Sequence, residues 1–121
     1  MSTMANMIGG MMSPMVASMV HVGTETTVAA AGSTSADAAT LTGDSNMVTG
    51  ADGTKGVILP NVEANSMILV SNQAGSALKV YPPASGKLNG LTASSGSVSI
   101  AANKGGYFAR LDNINWIAIY A

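Results

Sequence analysis

The sequence predicts an all-β protein, a small antiparallel β-sandwich or barrel of jelly-roll type, with a Met-rich arm at its N-terminus. Short apolar or alternating segments recur at regular intervals along residues 22–121, as in sandwiches and barrels. Gly, Asn, Ser and Pro separate these segments, and each of them favours turns. No segment after residue 22 shows the 3.6-residue period of a helix. We therefore divide the chain into an arm, residues 1–21, and a β-rich body, residues 22–121.

The composition is unusually poor in charge. Hydrophobic residues make up 47% of the chain and charged residues only 9%, against roughly 25% in typical soluble domains. Because interspersed charge keeps protein surfaces apart, such a surface is expected to be covered by copies of the chain or by a partner. The net charge of -1 provides no basic field, so we expect no nucleic-acid partner. The chain has no Cys, which excludes disulfides and thiolate metal sites.

The first 22 residues hold seven of the nine methionines and no Lys, Arg, Asp or Glu. Their apolar residues recur every three or four positions, as on one face of a helix or a coiled-coil seam. Gly9, Gly10 and Pro14 interrupt this pattern, so helical and extended forms both stay open. Because Met side chains adapt to irregular apolar grooves, we expect the arm to be buried in an assembly. Its candidate interface residues are Met4, Ile8, Met11, Met15 and Met19.

Two other hypotheses apply to the arm. Met-x-x-Met spacing near His21 could bind Cu(I), but the chain lacks a second His and any Cys, so we predict no metal and no cofactor. An amphipathic membrane anchor should carry Lys or Arg on its polar face, and this segment has none. No apolar run approaches the ~20 residues of a membrane span, and the N-terminus lacks the basic residues of a secretory signal. We therefore predict no membrane partner.

The segment Ser66–Pro83 is predicted to be the central β-hairpin of the body. Met67–Val70 is a continuous apolar run, typical of a strand covered on both faces. Ser71–Ser76 supplies turn residues. Leu78 and Val80 then lie on one face of a second strand, with Lys79 and Tyr81 on the other, and the two prolines that follow end the strand.

Further strands are predicted on both sides of this hairpin. The glycine-rich loop Gly50–Gly56 lacks the spacing of a phosphate-binding loop and precedes a strand rather than a helix, so it is predicted to be a connection. Asn89-Gly90 predicts a type I′ hairpin turn. The remaining strand candidates are 22–31, here taken as an edge strand, 38–41, 46–49, 57–59 and 97–101, the last with Val98 and Ile100 pointing inward.

The last two strands, residues 107–111 and 116–120, are predicted to form a hairpin. Alternation places Ile117 and Ile119 on one face of the final strand and Trp116 and Tyr120 on the other. We expect the isoleucines to point into the body. Trp116 and Tyr120 then become interface candidates, because aromatic residues are enriched at interfaces.

The sequence offers little chemistry for catalysis, and we predict that the protein is not an enzyme. The single His, His21, lies in the arm, and a hydrolytic site needs a nucleophile with a base or a metal with three ligands. The six acidic residues are scattered singly and are expected to be solvated. The aromatic residues of the body could form a sugar-stacking platform; they are Tyr81, Tyr107, Trp116 and Tyr120.

Residues 56–120 resemble small virion proteins of tailed bacteriophages. The resemblance rests on the segments GVILP, MILVSNQAG, LKVYPPASGKLNGL, SVSIAANKGGYFA and NWIAI. It covers about half of the chain and rests on structural residues; the arm is not part of it. It implies a capsid cement or decoration protein, a head fibre or a tail module, often a homotrimer, with the major capsid protein as partner and no catalytic residues.

Taken together, the sequence predicts a homo-oligomeric structural protein on the capsid surface of a virion, stabilising the phage head. The alternative hypothesis is a receptor- or glycan-binding module of a phage fibre or tail.

Overall fold

Ten β-strands make up residues 25–121, the part of the chain that the computed structural model describes. This part contains no helix, so the predicted all-β class is confirmed. The arm, residues 1–21, lies outside the described residues. The strands are β1 (Glu25–Ala29), β2 (Ala39–Thr40), β3 (Ser45–Thr49), β4 (Gly56–Ile58), β5 (Met67–Asn72), β6 (Leu78–Tyr81), β7 (Lys87–Leu88), β8 (Val98–Ile100), β9 (Gly105–Arg110) and β10 (Asn115–Tyr120).

The strands form two sheets, and the chain alternates between them over its first six strands. The six-stranded sheet has the order β1-β3-β5-β9-β10-β7 and the four-stranded sheet the order β2-β4-β6-β8. In the larger sheet β1 pairs in parallel with β3 and β3 with β5, and in the smaller sheet β2 pairs in parallel with β4 and β4 with β6. The repeating unit is thus an arch: a strand in one sheet, a bend, and a strand in the other. Glu25 pairs with Ser45, and Ser45 with Leu69.

The expectation of antiparallel sheets is wrong. Of the eight strand pairings within residues 25–121, five are parallel. A parallel pair needs a long crossover connection, and in this fold the crossover contains a strand of the other sheet. Apolar alternation marks a strand and its buried face but carries no information on which strand is its neighbour, so it could not distinguish these arches from hairpins.

The predicted central hairpin, Ser66–Pro83, is one of these arches. Its two strands form as expected, but β5 pairs with β3 and β9 while β6 pairs with β4 and β8. The side chain of Asn72 is buried at the bend. Its Nδ2 donates to the carbonyl oxygen of Ser76 at 2.8 Å, and its Oδ1 accepts from the N–H of Ala74 at 3.0 Å. These bonds satisfy polar groups inside the bend and hold the chain as it crosses between the sheets.

Individual strand predictions fared better than pairings. Val98 and Ile100 are buried, so the predicted facing of β8 is confirmed. Leu78 and Val80, predicted to share one face of β6, are both buried, and Tyr81 is buried as well although it occupies the other set of alternate positions. Among the strands of residues 25–121 β1 lies at the edge of its sheet, as predicted, and the hairpin of β9 with β10 is also confirmed.

The predicted positive φ angles at Asn89 (50°) and Gly90 (76°) are present, and the N–H of Leu91 donates to the carbonyl of Leu88 at 2.8 Å. No hairpin follows, because β7 pairs in parallel with β10.

The buried faces of both sheets contribute to a single hydrophobic cluster. Val48, Ile68 and Phe108 enter it from the six-stranded sheet, and Val57 and Val80 from the four-stranded sheet. This arrangement leaves the opposite face of the six-stranded sheet directed away from the core.

Candidate assembly surface

The outer side of the six-stranded sheet carries two rows of apolar side chains. In one row Leu69 on β5 pairs with Tyr107 on β9, which pairs with Ile119 on β10. In the next row Met67 pairs with Ala109, and Ala109 with Ile117. Successive strands lie about 4.8 Å apart, so the side chains within each row are neighbours. We call this surface the apolar face; its members are Met67, Leu69, Tyr107, Ala109, Ile117 and Ile119.

The apolar face arises because the central strands carry apolar residues at their outward-facing positions as well as at their inward-facing ones. On β5, Ile68 and Val70 point into the core, and on β9 Phe108 does so. The period of two then places the intervening residues outside. A one-sided sheet usually carries polar residues at such positions. Here four outward side chains are large and well exposed: Met67 by 56%, Tyr107 by 49%, Ile117 by 42% and Ile119 by 65%.

Contiguous exposed apolar surfaces are a feature of interaction sites, which makes the apolar face the candidate surface of the described residues. None of the six side chains of the apolar face is charged, so nothing in the rows opposes contact with another apolar surface. The available chemistry is burial against a partner. Sequence reasoning missed this surface as a unit, although the signal was present: Met67–Val70 is apolar at every position and was interpreted as a strand buried on both sides. Met67 is exposed instead, and Leu69 is half-buried.

The predicted facing of β10 is wrong. Trp116 is only 2% exposed and belongs to the core cluster, whereas the two isoleucines lie outside. Alternation fixes which residues share a face but not which face is inside. The hairpin decides it, because the register pairs Ala118 with the buried Phe108 and so turns Trp116 and Ala118 inward. Trp116 therefore lies in the core of the described chain and is not part of its surface.

The other interface candidates have separate outcomes. Tyr120 is 44% exposed at the end of β10, opposite Gly106, and its interface role stays a prediction. The arm candidates Met4, Ile8, Met11, Met15 and Met19 lie outside the described residues.

The four aromatic residues proposed as a sugar-stacking platform do not share one surface. Tyr81 and Trp116 are buried, with exposed fractions of 4% and 2%. The Tyr81 hydroxyl donates to the carbonyl of Ser33 at 3.2 Å. Tyr107 lies on the apolar face and pairs with Ile119 of the neighbouring strand. Tyr120 is the next residue of that strand, so it does not belong to the same row. Only Tyr107 and Tyr120 of the four are well exposed.

Three of the carboxylates stabilise loops. Asp37 Oδ1 accepts from the N–H of Thr34 at 2.9 Å, and this bond is the main reason that the pKa of Asp37 is lowered. In the connection between β3 and β4, Asp52 Oδ1 accepts from the hydroxyl of Thr54 at 2.7 Å and from its N–H at 2.9 Å. These bonds lower the pKa of Asp52 to about 2. The loop Gly50–Gly56 thus forms a connection, as predicted, and the hydrogen bonds between Asp52 and Thr54 stabilise it.

Asp112 plays the same part in the turn between β9 and β10. Its Oδ1 accepts from the N–H groups of Asn115 at 2.7 Å and Ile114 at 2.8 Å, and these bonds lower the pKa of Asp112 to about 2. The three carboxylates lie in three different loops. Within residues 25–121, no group of three or more His, Cys, Asp or Glu residues is placed to hold a metal ion.

One shallow hollow of about 250 Å³ lies beside the end of β4. None of its lining side chains ionises; they are Ser35, Ala36, Ile58, Pro82, Ala84 and Ser94. The described residues include no helix long and apolar enough to cross a membrane. The chain matches no protein-family model, no curated protein and no solved structure.

Proposed function

We propose that this chain is a virion structural protein, a capsid cement or decoration protein that binds the phage head as a homotrimer and stabilises it. Its partners are copies of itself and the major capsid protein, and its body is a sandwich of the two sheets. The single observation that carries the proposal is the apolar face, which presents large uncharged side chains on the three adjacent strands β5, β9 and β10. The resemblance of residues 56–120 to small virion proteins is the reason for proposing a phage head as the structure that it binds.

The low charge of the whole chain supports the same conclusion. Only 9% of its residues are charged, so the chain has little of the interspersed charge that usually prevents association. Burying apolar area contributes on the order of 25 cal/mol per Å². A protein that binds only the assembled capsid lattice then stabilises that lattice by mass action.

The proposal is tested by placing a charge in the apolar face. Ile119→Lys changes the most exposed of its large side chains, 65% exposed, so the isolated fold should be retained. Leu91→Lys is the matched control, because Leu91 is 41% exposed and lies outside the face. We expect Ile119→Lys to raise the dissociation constant for self-association at least ~10-fold, equivalent to ~1.4 kcal/mol. It should also abolish binding to phage heads, whereas Leu91→Lys leaves both unchanged.

Sedimentation at micromolar concentration and co-sedimentation with purified heads are the measurements. A wild-type chain that stays monomeric and does not bind heads would contradict the proposal. Binding to a glycan array by that monomer would instead favour the receptor-binding module of a fibre or tail.

A further inference from the structure

The turn that follows β7 is joined to β10 by the side chain of Asn89. Lys87 N–H donates to the Ile114 carbonyl at 2.8 Å, as expected for the parallel pairing of these strands. Asn89 N–H donates to the Trp116 carbonyl at 3.0 Å. The N–H of Ala118 then donates to Oδ1 of Asn89 at 2.9 Å. Oδ1 thus takes the place that the main-chain carbonyl of Asn89 would have if the parallel ladder continued.

Asn89 is followed by Gly90, and this is the only Asn-Gly pair in the chain. Such a pair can deamidate, because glycine has no side chain to hinder attack by its nitrogen. The Gly90 nitrogen bonds to Cγ of Asn89, the bond from Cγ to Nδ2 breaks, and ammonia leaves with the proton of the Gly90 N–H. Water then opens the resulting succinimide at either carbonyl. The products are aspartate and isoaspartate at position 89.

The native turn keeps the reacting atoms apart. Positive φ angles of 50° at Asn89 and 76° at Gly90, with the hydrogen bond from Leu91 N–H to the Leu88 carbonyl, define a type I′ turn. The first central residue of such a turn has a ψ angle of about 30°. At this angle the Gly90 nitrogen lies nearly opposite Cβ of Asn89 across the Cα–C bond, whereas ring closure requires both on one side. The hydrogen bond from Ala118 also holds the amide against β10.

We propose that Asn89 is a site of spontaneous deamidation that the native turn keeps unreactive and that reacts when β7 separates from β10. Separation breaks the bond to Ala118 and frees the backbone of the turn. β7 has two residues, so it can open locally at a lower free energy than the whole fold.

The two products differ in what they do to the turn. Aspartate keeps the main chain and offers a carboxylate oxygen to the N–H of Ala118. Isoaspartate routes the main chain through Cβ, which adds one atom between Leu88 and Gly90. The bonds from Asn89 N–H to Trp116 and across the turn then cannot both re-form. Each event that yields isoaspartate therefore leaves a permanent record that β7 had opened.

Peptide mass mapping of the full-length protein, incubated at mildly alkaline pH with and without denaturing urea, tests the site. We expect deamidation of Asn89 to be at least ~10 times slower in the native protein than in the unfolded chain, because only the open fraction reacts. Asn65 and Asn103 are internal controls, since both have positive φ but precede Ser and Lys. Equal rates at Asn89 in the two states, or slower reaction of Asn89 than of the controls in urea, would overturn the proposal.

Two further measurements separate local opening from global unfolding. Leu88→Ala weakens the packing of β7, and Leu78→Ala is the matched control, because both leucines are fully buried and Leu78 lies in the other sheet. We expect Leu88→Ala to raise the native rate at least ~3 times more than Leu78→Ala does, through a larger open fraction. In the wild type, urea below the unfolding transition should raise the rate less steeply than it raises the unfolded fraction, since local opening exposes less surface. Equal effects of the two variants, or a rate that follows the unfolded fraction, would contradict opening at β7.

Discussion

Arg110 and Trp116 are direct partners across the β9–β10 hairpin, and the guanidinium carbon of Arg110 lies 6.0 Å from the centre of the indole ring. The guanidinium also reaches two loops. Its Nη1 donates to Asn61 Oδ1 at 2.8 Å and to the Val62 carbonyl, while its Nη2 donates to the Asn113 carbonyl at 2.8 Å. One side chain therefore joins the connection before β5 to the turn that follows β9 and covers the edge of the core at Trp116.

Replacing Arg110 should show that the several donors of its planar guanidinium group contribute more to the free energy of unfolding than its charge does. Arg110→Lys keeps the charge but offers one nitrogen, which cannot reach both loops. We expect a loss of about 1–3 kcal/mol in the free energy of unfolding, because backbone carbonyls lose their donors. Urea denaturation measures it, with Arg110→Met as the variant that keeps the stem and removes the charge. A Lys variant as stable as the wild type, beside a destabilised Met variant, would assign the effect to charge instead.

Trp116 should behave as a core residue. Trp116→Ala is expected to cost ~3–5 kcal/mol of unfolding free energy through the cavity it creates. Trp116→Phe should cost less than about half as much, because the phenyl ring fills part of the space of the indole and the indole N–H that is lost has no acceptor within residues 25–121. Thermal unfolding of both variants provides the measurement. Equal losses in the two variants would mean that the indole N–H contributes an interaction of its own.

Asn72 should be required for the arch between β5 and β6. Asn72→Ala removes the donor to the carbonyls of Ser76 and Ile100 and the acceptor for Ala74. The Ile100 carbonyl is buried and would lose this donor, so we expect a loss of about 1–3 kcal/mol. The neighbouring Gln73 is exposed, and Gln73→Ala is the control, expected to stay within ±0.5 kcal/mol of the wild type. Guanidinium titrations at fixed pH compare the two. Equal stability of both variants would exclude a structural role for the buried amide.

The hydrogen bonds of Asp112 in the turn between β9 and β10 should make the stability of the fold decrease at low pH. The pKa of this carboxylate falls from 3.8 to about 2 on folding, because the N–H groups of Asn115 and Ile114 bind the charged form. A lowered folded pKa contributes stability above the unfolded value, and that contribution is lost as the pH falls through the folded value. Stability should thus decline between about pH 4 and pH 2. The Asp112→Asn variant should show a smaller decline over the same range in urea midpoints measured at each pH. If the two proteins lost stability equally over this pH range, Asp112 would not be a cause of the acid dependence.

The sequence predicted strands well and their neighbours poorly. Positions such as Val98 and Ile100 were assigned correctly because alternation over a few residues is a local signal of a buried face. The pairing of β5 with β3 and β9 is a long-range property. Asn and Gly residues suit both a hairpin turn and an arch, so turn chemistry alone could not reveal that Ser71–Ser76 crosses between the sheets.

The candidate surface was predicted only in outline. The low charge of the chain predicted that some surface is covered by a partner. The position of that surface on the sheet depended on whether Trp116 or Ile117 faces the core. Both choices satisfy the alternation of β10. The difference lies in the buried partners across the hairpin, Phe108 above all, and a sequence does not state the register of a pairing.

The central position of β9 has a consequence for how the chain is made. This strand lies between β5 and β10 in the six-stranded sheet, yet among the ten strands of residues 25–121 it is the ninth to be synthesised. Until β9 has left the ribosome, the edge of β5 with which it pairs, beside Ile68 and Val70, has no partner strand from residues 105–110. Unpaired edges next to apolar residues invite pairing with other nascent chains. Translation speed and chaperone supply should therefore affect the yield of this protein most strongly over the stretch that precedes β9.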